Sequence, residues 1–203
     1  MYSEVGICNM ALSNMGIGRV ISKLTDATEE ARTCRRFYEH ARDELLREYP
    51  WNWAAGVSRL ALRNETDPFG ACVYAYPADA LRICRVFSPD APMARPNWHI
   101  RRAAGGGKAV VTDMERAWAE YTSRVTDPAE FPPLFADALS WLLAAKLTLP
   151  LKADGETRRG DVMQYYLLSK QNAVAADANE GLRSGVNVDA GLSAATDYLD
   201  VRR

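Results

Sequence analysis

The sequence predicts a mainly α fold: a four-helix bundle with a small antiparallel β-sheet inserted between helices 2 and 3, and an extended C-terminal tail. Two observations carry this. Apolar residues recur at helical spacing from Val5 to Tyr49 and again after Pro133, whereas from Val57 to Val125 they alternate with period two. Beyond Gly181 neither rhythm holds. The bundle is accordingly assigned to residues 1–56 and 126–180, the inserted β-region to 57–125, and a C-terminal docking tail to 181–203.

Taken in order, Ser3 is a good N-cap for a first helix that presents Val5, Cys8, Ala11 or Leu12 and Met15 on one face before Gly16 ends it. Asp26 and Glu29 have the spacing of a capping box for a second, longer helix. Its stripe is Ala31, Cys34, Tyr38, Ala41, Leu45 and Tyr49, and Pro50 terminates it. Cys72, Tyr74 and Tyr76 alternate in a strand, and further strands follow over Leu81 to Phe87 and Ala117 to Val125. Gly105, Gly106 and Gly107, between Trp98 to Arg102 and Lys108 to Thr112, suit a hairpin tip, because glycine accepts the positive φ that tight turns impose. Pro132 and Pro133 open a third helix reaching about Leu149, apolar all round except for Asp137, Ser140 and Thr148. Such a helix belongs at the centre of a bundle, and Pro150 is expected to stop it. A fourth helix is expected from about Thr157 to Ala178, with Val162, Tyr166, Ser169, Ala173 and Ala176 inward. Gly181, Gly185 and Gly191 are expected to break any helix thereafter, yet Val186, Val188, Leu192, Tyr198, Leu199 and Val201 are too apolar for a solvated linker.

Composition narrows the function classes. The 203 residues include 48% hydrophobic and 25% charged, an ordinary globular make-up. Lys and Arg total 25 against 26 acids, for a net charge of -1, so the chain lacks the bulk positive charge of a phosphate-neutralising DNA binder. The cations are 20 Arg and 5 Lys, a bias that suits interfaces and equally a GC-rich genome. The apolar run Trp141 to Ala145 is broken by Lys146, and the start of the chain lacks a basic flank before an apolar stretch; neither a membrane span nor a secretory signal is expected. Cys8, Cys34, Cys72 and Cys84 lack CxxC spacing, and only His40 and His99 could supplement them. They read as free thiols in a reducing cytoplasm, with no metal site.

Motifs for catalysis fail on inspection. A phosphate loop at Gly107 and Lys108 would need glycine where Arg102 sits and Ser or Thr where Ala109 sits. Gly16-x-Gly18 lacks the third glycine of a dinucleotide fingerprint, which falls at Ile21. The acid pairs Asp43 with Glu44 and Glu29 with Glu30 are interleaved with Arg32, Arg35, Arg36 and Arg42, as on a salt-bridged solvent face. His40 and His99 have no nucleophile in readable relation to them. Tyr49, Trp51 and Trp53 around Pro50 read as a core plug where the bundle meets the sheet. No catalytic residue, cofactor or metal is assigned.

Three segments carry a resemblance. Ala11 to Leu24 (ALSNMGIGRVISKL), Cys34 to Ala54 (CRRFYEHARDELLREYPWNWA) and Arg124 to Leu151 (RVTDPAEFPPLFADALSWLLAAKLTLPL) are together similar to the head-to-tail adaptor family of tailed bacteriophages, the tail tubular protein A-like connectors. In the second segment Cys34, Tyr38, Arg42, Leu46 and Pro50 recur every four residues and lead into Trp51; in the third, Asp127-Pro128 and Pro133-Leu134-Phe135 precede an alanine-rich helix ending at Pro150. Trp53 stands where the family pattern has Phe, and Pro132 where it has an acid.

The resemblance implies a structural virion protein and not an enzyme: a homo-oligomeric, dodecameric ring between portal and tail, with a central channel through which double-stranded DNA passes on ejection. It implies synthesis in the host cytoplasm, a place at the head–tail junction, no membrane, and partners in the portal and the tail or nozzle proteins. In that setting Val186, Val188, Leu192, Tyr198 and Leu199 are expected to dock on the portal or a neighbouring subunit, ordering when they do so. Arg101, Arg102, Gly106 and Lys108, as exposed cations and a glycine at a hairpin, are expected at a tail-side or ring interface. Two rivals stand beside this reading. A helix-turn-helix DNA-binding module needs a basic recognition helix, but the second helix mixes both signs. A tail-associated cell-wall hydrolase needs two carboxylates flanking a sugar bond.

Overall fold

The computed structural model describes residues 2–65, 67–91, 94–152 and 155–183. Among them the chain forms four α-helices, α1 (Glu4–Asn14), α2 (Glu29–Glu48), α3 (Pro133–Leu151) and α4 (Gly155–Arg183). Between α2 and α3 lie six strands: β1 (Ala55–Arg59), β2 (Cys72–Ala75), β3 (Ala80–Phe87), β4 (Trp98–Arg102), β5 (Lys108–Thr112) and β6 (Trp118–Ser123). The strands form two three-stranded antiparallel sheets, ordered β1-β6-β3 and β2-β5-β4. Two compact units result. A helical unit comprises the chain up to Leu45, Trp51–Trp53 and the chain from Val125; a sheet unit comprises Leu46–Pro50 and Ala54–Arg124.

The fold is thus α+β, which corrects the mainly α class with one small sheet. The reason lies in β5, buried at Ala109, Val110, Val111 and Thr112. A one-sided sheet leaves alternate residues in water; β5 is covered on both faces. On one face Tyr74 and Val110 pack with Ile83, Val86, Ala119 and Tyr121 of the other sheet, and on the opposite face Val73, Ala109 and Val111 gather with Ala103. β1 has no apolar alternation of its own, and its Val57 is exposed. It is held by pairing along β6, where Gly56 faces Tyr121 and a Cβ would stand 2.9 Å from the tyrosine ring.

In the helical unit, the Gly6 amide donates to Ser3 Oγ at 3.0 Å, and Gly16 at φ 71 follows the end of α1, both as the sequence predicts. The capping box is not there. α2 starts at Glu29 because Thr28 Oγ1 accepts from the Ala31 amide at 3.2 Å. Asp26 turns instead to the amides of Lys23 and Ser22, whose hydrogen bonds, Lys23's first, hold its carboxyl below the usual range. Ala31, Cys34, Tyr38, Ala41 and Leu45 are all buried, and Tyr49 half so.

α3 is buried on nearly every side, packing on α1 and α4. Its length and hydropathy match those of a membrane-crossing helix, and most of it lies inside the protein. Its polar stripe is internal: Ser140 donates to the Asp137 carbonyl and accepts from Asn14 Nδ2, while Thr148 donates to the Ala144 carbonyl. Such bonds offset the cost of burying hydroxyls. Pro150 does not stop α3, which continues to Leu151. Nor does Gly181 end the fourth helix: α4 runs to Arg183, so the extended tail does not begin at 181.

Candidate functional site

The hairpin chosen from the sequence exists. β4 and β5 pair from Trp98↔Thr112 to Arg102↔Lys108, and Gly106 and Gly107 take φ values of 89 and 77 at the tip. Its four predicted residues differ in character. Arg102 and Lys108 are exposed, with the Lys108 ammonium 5.0 Å from the Tyr76 ring centroid, and Gly106 is half-buried. Arg101 is half-buried, its guanidinium 3.9 Å from Glu65 and 4.0 Å from Asp67. Glu65 also accepts from the Ala104 amide at 3.2 Å and from Arg63 at 2.5 Å, contacts that lower its pKa, the amide first. Arg101 therefore belongs to a structural cluster at the base of the hairpin and is not a free cation.

Val186, Val188, Leu192, Tyr198 and Leu199 lie outside the described residues.

A second centre surrounds the turn after α2. Trp51 is buried, donating from Nε1 to the Leu45 carbonyl at 3.0 Å and meeting Phe135 edge-on at 5.2 Å. Trp53 packs on Phe131 at 5.8 Å and on Phe135 at 4.8 Å. The plug expected from these tryptophans is thus built within the helical unit, against α3 and the turn before it. Asp177, missed in the sequence, closes it from α4. Its carboxylate accepts from the Asn52 amide at 2.9 Å and more weakly from the Trp53 amide at 3.5 Å, and Asn52 Nδ2 donates to the Asp177 carbonyl at 2.9 Å. Burial pushes this carboxyl above its ordinary value, outweighing the amide donors. One signal for it existed. The inward series Val162, Tyr166, Ser169, Ala173 advances by four, three and four, and a further four gives Asp177, not the Ala176 that hydrophobicity suggested.

Of the acids and histidines set aside in the sequence, Glu30, His40, Asp43 and Glu44 are engaged structurally. Glu44 accepts from Lys146 at 2.6 Å and lies 3.7 Å from His40; Asp43 takes Arg42 at 2.8 Å; Glu30 lies 3.6 Å from Arg19. Arg42 is a correction to the solvent-face reading, because it is only 4% exposed. Its place on the four-residue ridge with Tyr38 and Leu46 turns it inward. Ser169 on α4 donates to Asp137 on α3, without a histidine near either to complete a nucleophile. Among the described residues no three His, Cys, Asp or Glu side chains are grouped to hold a metal.

Two concavities stand out among the described residues of the helical unit. One, of about 200 Å³, is walled by Trp141 and Tyr165, stacked at 4.8 Å, and edged by Lys152, Arg158 and Asp161. The other is an open groove of about 530 Å³ formed by Gly18–Ile21 and Thr28–Glu30. Among the described residues neither brings a nucleophile to a base. No protein-family model and no curated protein matches this chain.

Proposed function

We propose that this protein is a structural component of a phage virion, a ring adaptor of the head-to-tail connector kind that joins portal to tail and leaves a channel for DNA. The observation that carries the reading is the ordered set of three segments resembling that family, together with how two of them meet. Trp51 and Trp53 of the second segment pack edge-on or tilted against Phe131 and Phe135 of the third, across some eighty intervening positions of chain. These two segments therefore contribute to one packed core.

The charge balance suits a conduit. A channel lined by many unpaired cations would hold the duplex through counterion release and resist its passage, whereas this chain has a net charge of -1. In this role the exposed Arg102 and Lys108 face a tail protein or a neighbouring subunit, and residues 184–203 reach the portal. Electron microscopy of the purified protein mixed with its portal tests the proposal: closed rings seated on portal are the expected result. Portal particles that remain bare at saturating protein would sink it.

A further inference from the structure

The strands at the borders of the two sheets are not alike. β2 is bordered by the segment carrying Leu62, which bridges to Tyr74, and β3 is interrupted by register shifts. β1 and β4, five residues each, are regular and have a strand on one side only. Backbone groups along a strand point alternately to its two sides. Leu60, next after β1, donates its amide to the Ala117 carbonyl at 2.9 Å, so Ser58 and Gly56 face β6, and the N–H and C=O of Ala55, Val57 and Arg59 point away from it. Ala103, next after β4, donates to the Gly107 carbonyl at 3.0 Å, so Arg101 and His99 face β5, and the backbone groups of Trp98, Ile100 and Arg102 point away. Among the described residues none of these outward groups has a hydrogen-bond partner. All six residues but Trp98 are exposed, Val57 at 56% and Ile100 at 45%. A bare edge of this kind is a template for a further strand.

The two edges fit each other better than either fits itself. Antiparallel pairing centred on Val57 and Ile100 sets these two apolar side chains together, Arg59 against Trp98, whose ring suits a guanidinium, and Ala55 against Arg102. At the positions between, Gly56 meets Arg101 and Ser58 meets His99, so no cation opposes a cation. A parallel alignment would bring Arg59 to Arg102. β4 on β4 would set Arg101 against His99 twice and leave β1 bare in both copies, and β1 on β1 would leave β4 bare. Arginines guard an edge against indiscriminate pairing, and these do not guard against this one. We infer that β1 of one copy pairs antiparallel with β4 of a second copy, joining the sheets of neighbouring subunits. The two edges are different surfaces of one chain, so the pairing is heterologous, the arrangement that builds rings when the rotation closes. This inference rests on the ring proposed above and names the contact between its subunits.

Sedimentation equilibrium of the full-length protein, carried to millimolar concentration, is the test. Wild type is expected to gain mass with concentration. Proline at an outward position removes an edge N–H without touching the bonds inside the sheet. Val57→Pro and Ile100→Pro should therefore each weaken association about tenfold or more, with little change in the melting curve. Mixed together, the two variants should stop at pairs, because each retains the edge that the other lacks. Cross-linking reads the register without proline. Ser58→Cys and His99→Cys fall opposite each other at a close, non-hydrogen-bonded site, where a disulfide can span the strands. Under copper-catalysed air oxidation a mixture of these two variants should give linked pairs, and either variant alone far fewer. A monomer at every concentration, association that Ile100→Pro weakens and Val57→Pro does not, as β4 self-pairing requires, or a mixture that cross-links no better than its parents would each overturn the contact. Portal decoration is read separately, so rings that form on portal despite any of these outcomes leave the adaptor role standing and remove only this interface.

Discussion

Asp177 lies at the C-terminal end of α4 with its carboxylate among backbone amides, yet burial dominates its ionisation and raises its pKa. The sign of the pH effect follows. In the window between the ordinary carboxylate pKa and the raised one, the folded state binds more protons than the unfolded state, so stability falls as pH rises through it. Asp177→Asn should remove that component: the melting temperature of wild type minus variant should decline as pH rises from the ordinary carboxylate value of about 4 through the raised one. A difference that stays flat with pH would show that the amide donors compensate burial in full. The same attention to individual residues separates the hairpin cations. Arg102→Ser and Lys108→Ser should change stability by no more than about 0.5 kcal/mol, as exposed substitutions do, while weakening tail attachment. Arg101→Ser removes the guanidinium that lies beside both Glu65 and Asp67 and should cost more, on the order of 1 kcal/mol. Equal melting curves for the three variants would place Arg101 with the free cations after all.

Element by element, legibility tracked how far a residue's role is local. Ser3, Gly16 and the glycines at 106 and 107 act within a few residues of themselves, so their turns and caps could be read directly. Gly181 and Asp177 act on Asn52 and Trp53, more than a hundred residues away, whereas Thr28 is as local a cap as Ser3 and is masked by the Asp26–Glu29 spacing. Gly181, a helix breaker by residue type, lies within α4, where a Cβ would stand 2.8 Å from Asn52 Nδ2. That nitrogen is already held by the Asp177 carbonyl, so it has little freedom to yield. Gly181→Ala should therefore lower the melting temperature even though alanine is favoured over glycine in a helix by about 1 kcal/mol. Adding Asn52→Ala should relieve most of the steric part; a stabilised Gly181→Ala would mean that propensity decides. The two-sheet architecture was hidden for a related reason: alternation reports one buried face, and β5 has two. α3 was legible because being apolar all round has one consequence in a folded chain. Leu142 is 2% exposed there, and an aspartate in its place would bury a charge at a cost of several kcal/mol, comparable to the roughly 5–15 kcal/mol of a whole domain. Leu142→Asp should prevent folding, seen as loss of the cooperative melt.

For the whole molecule, Gly181 approaches Asn52 two residues before α4 ends at Arg183. This moves the informative truncation point. Cutting after Glu180 would remove the close approach at Gly181 and confuse a folding defect with a docking defect; cutting after Arg183 spares it. The segment removed, 184–203, contains Val186, Val188, Leu192, Tyr198 and Leu199, side chains whose apolar area favours burial against a partner over exposure to water. Under the adaptor reading these residues meet the portal, so a chain ending at Arg183 should keep the circular dichroism and melting temperature of the full protein and lose stable capture by portal rings. The two readouts decide between different failures. If the shortened chain melts earlier, the segment stabilises its own subunit, and the partner's share of the apolar residues is correspondingly smaller. If it melts normally and still saturates portal, the docking assignment fails, and the contacts that join this protein to its portal must be sought in the helical and sheet units themselves.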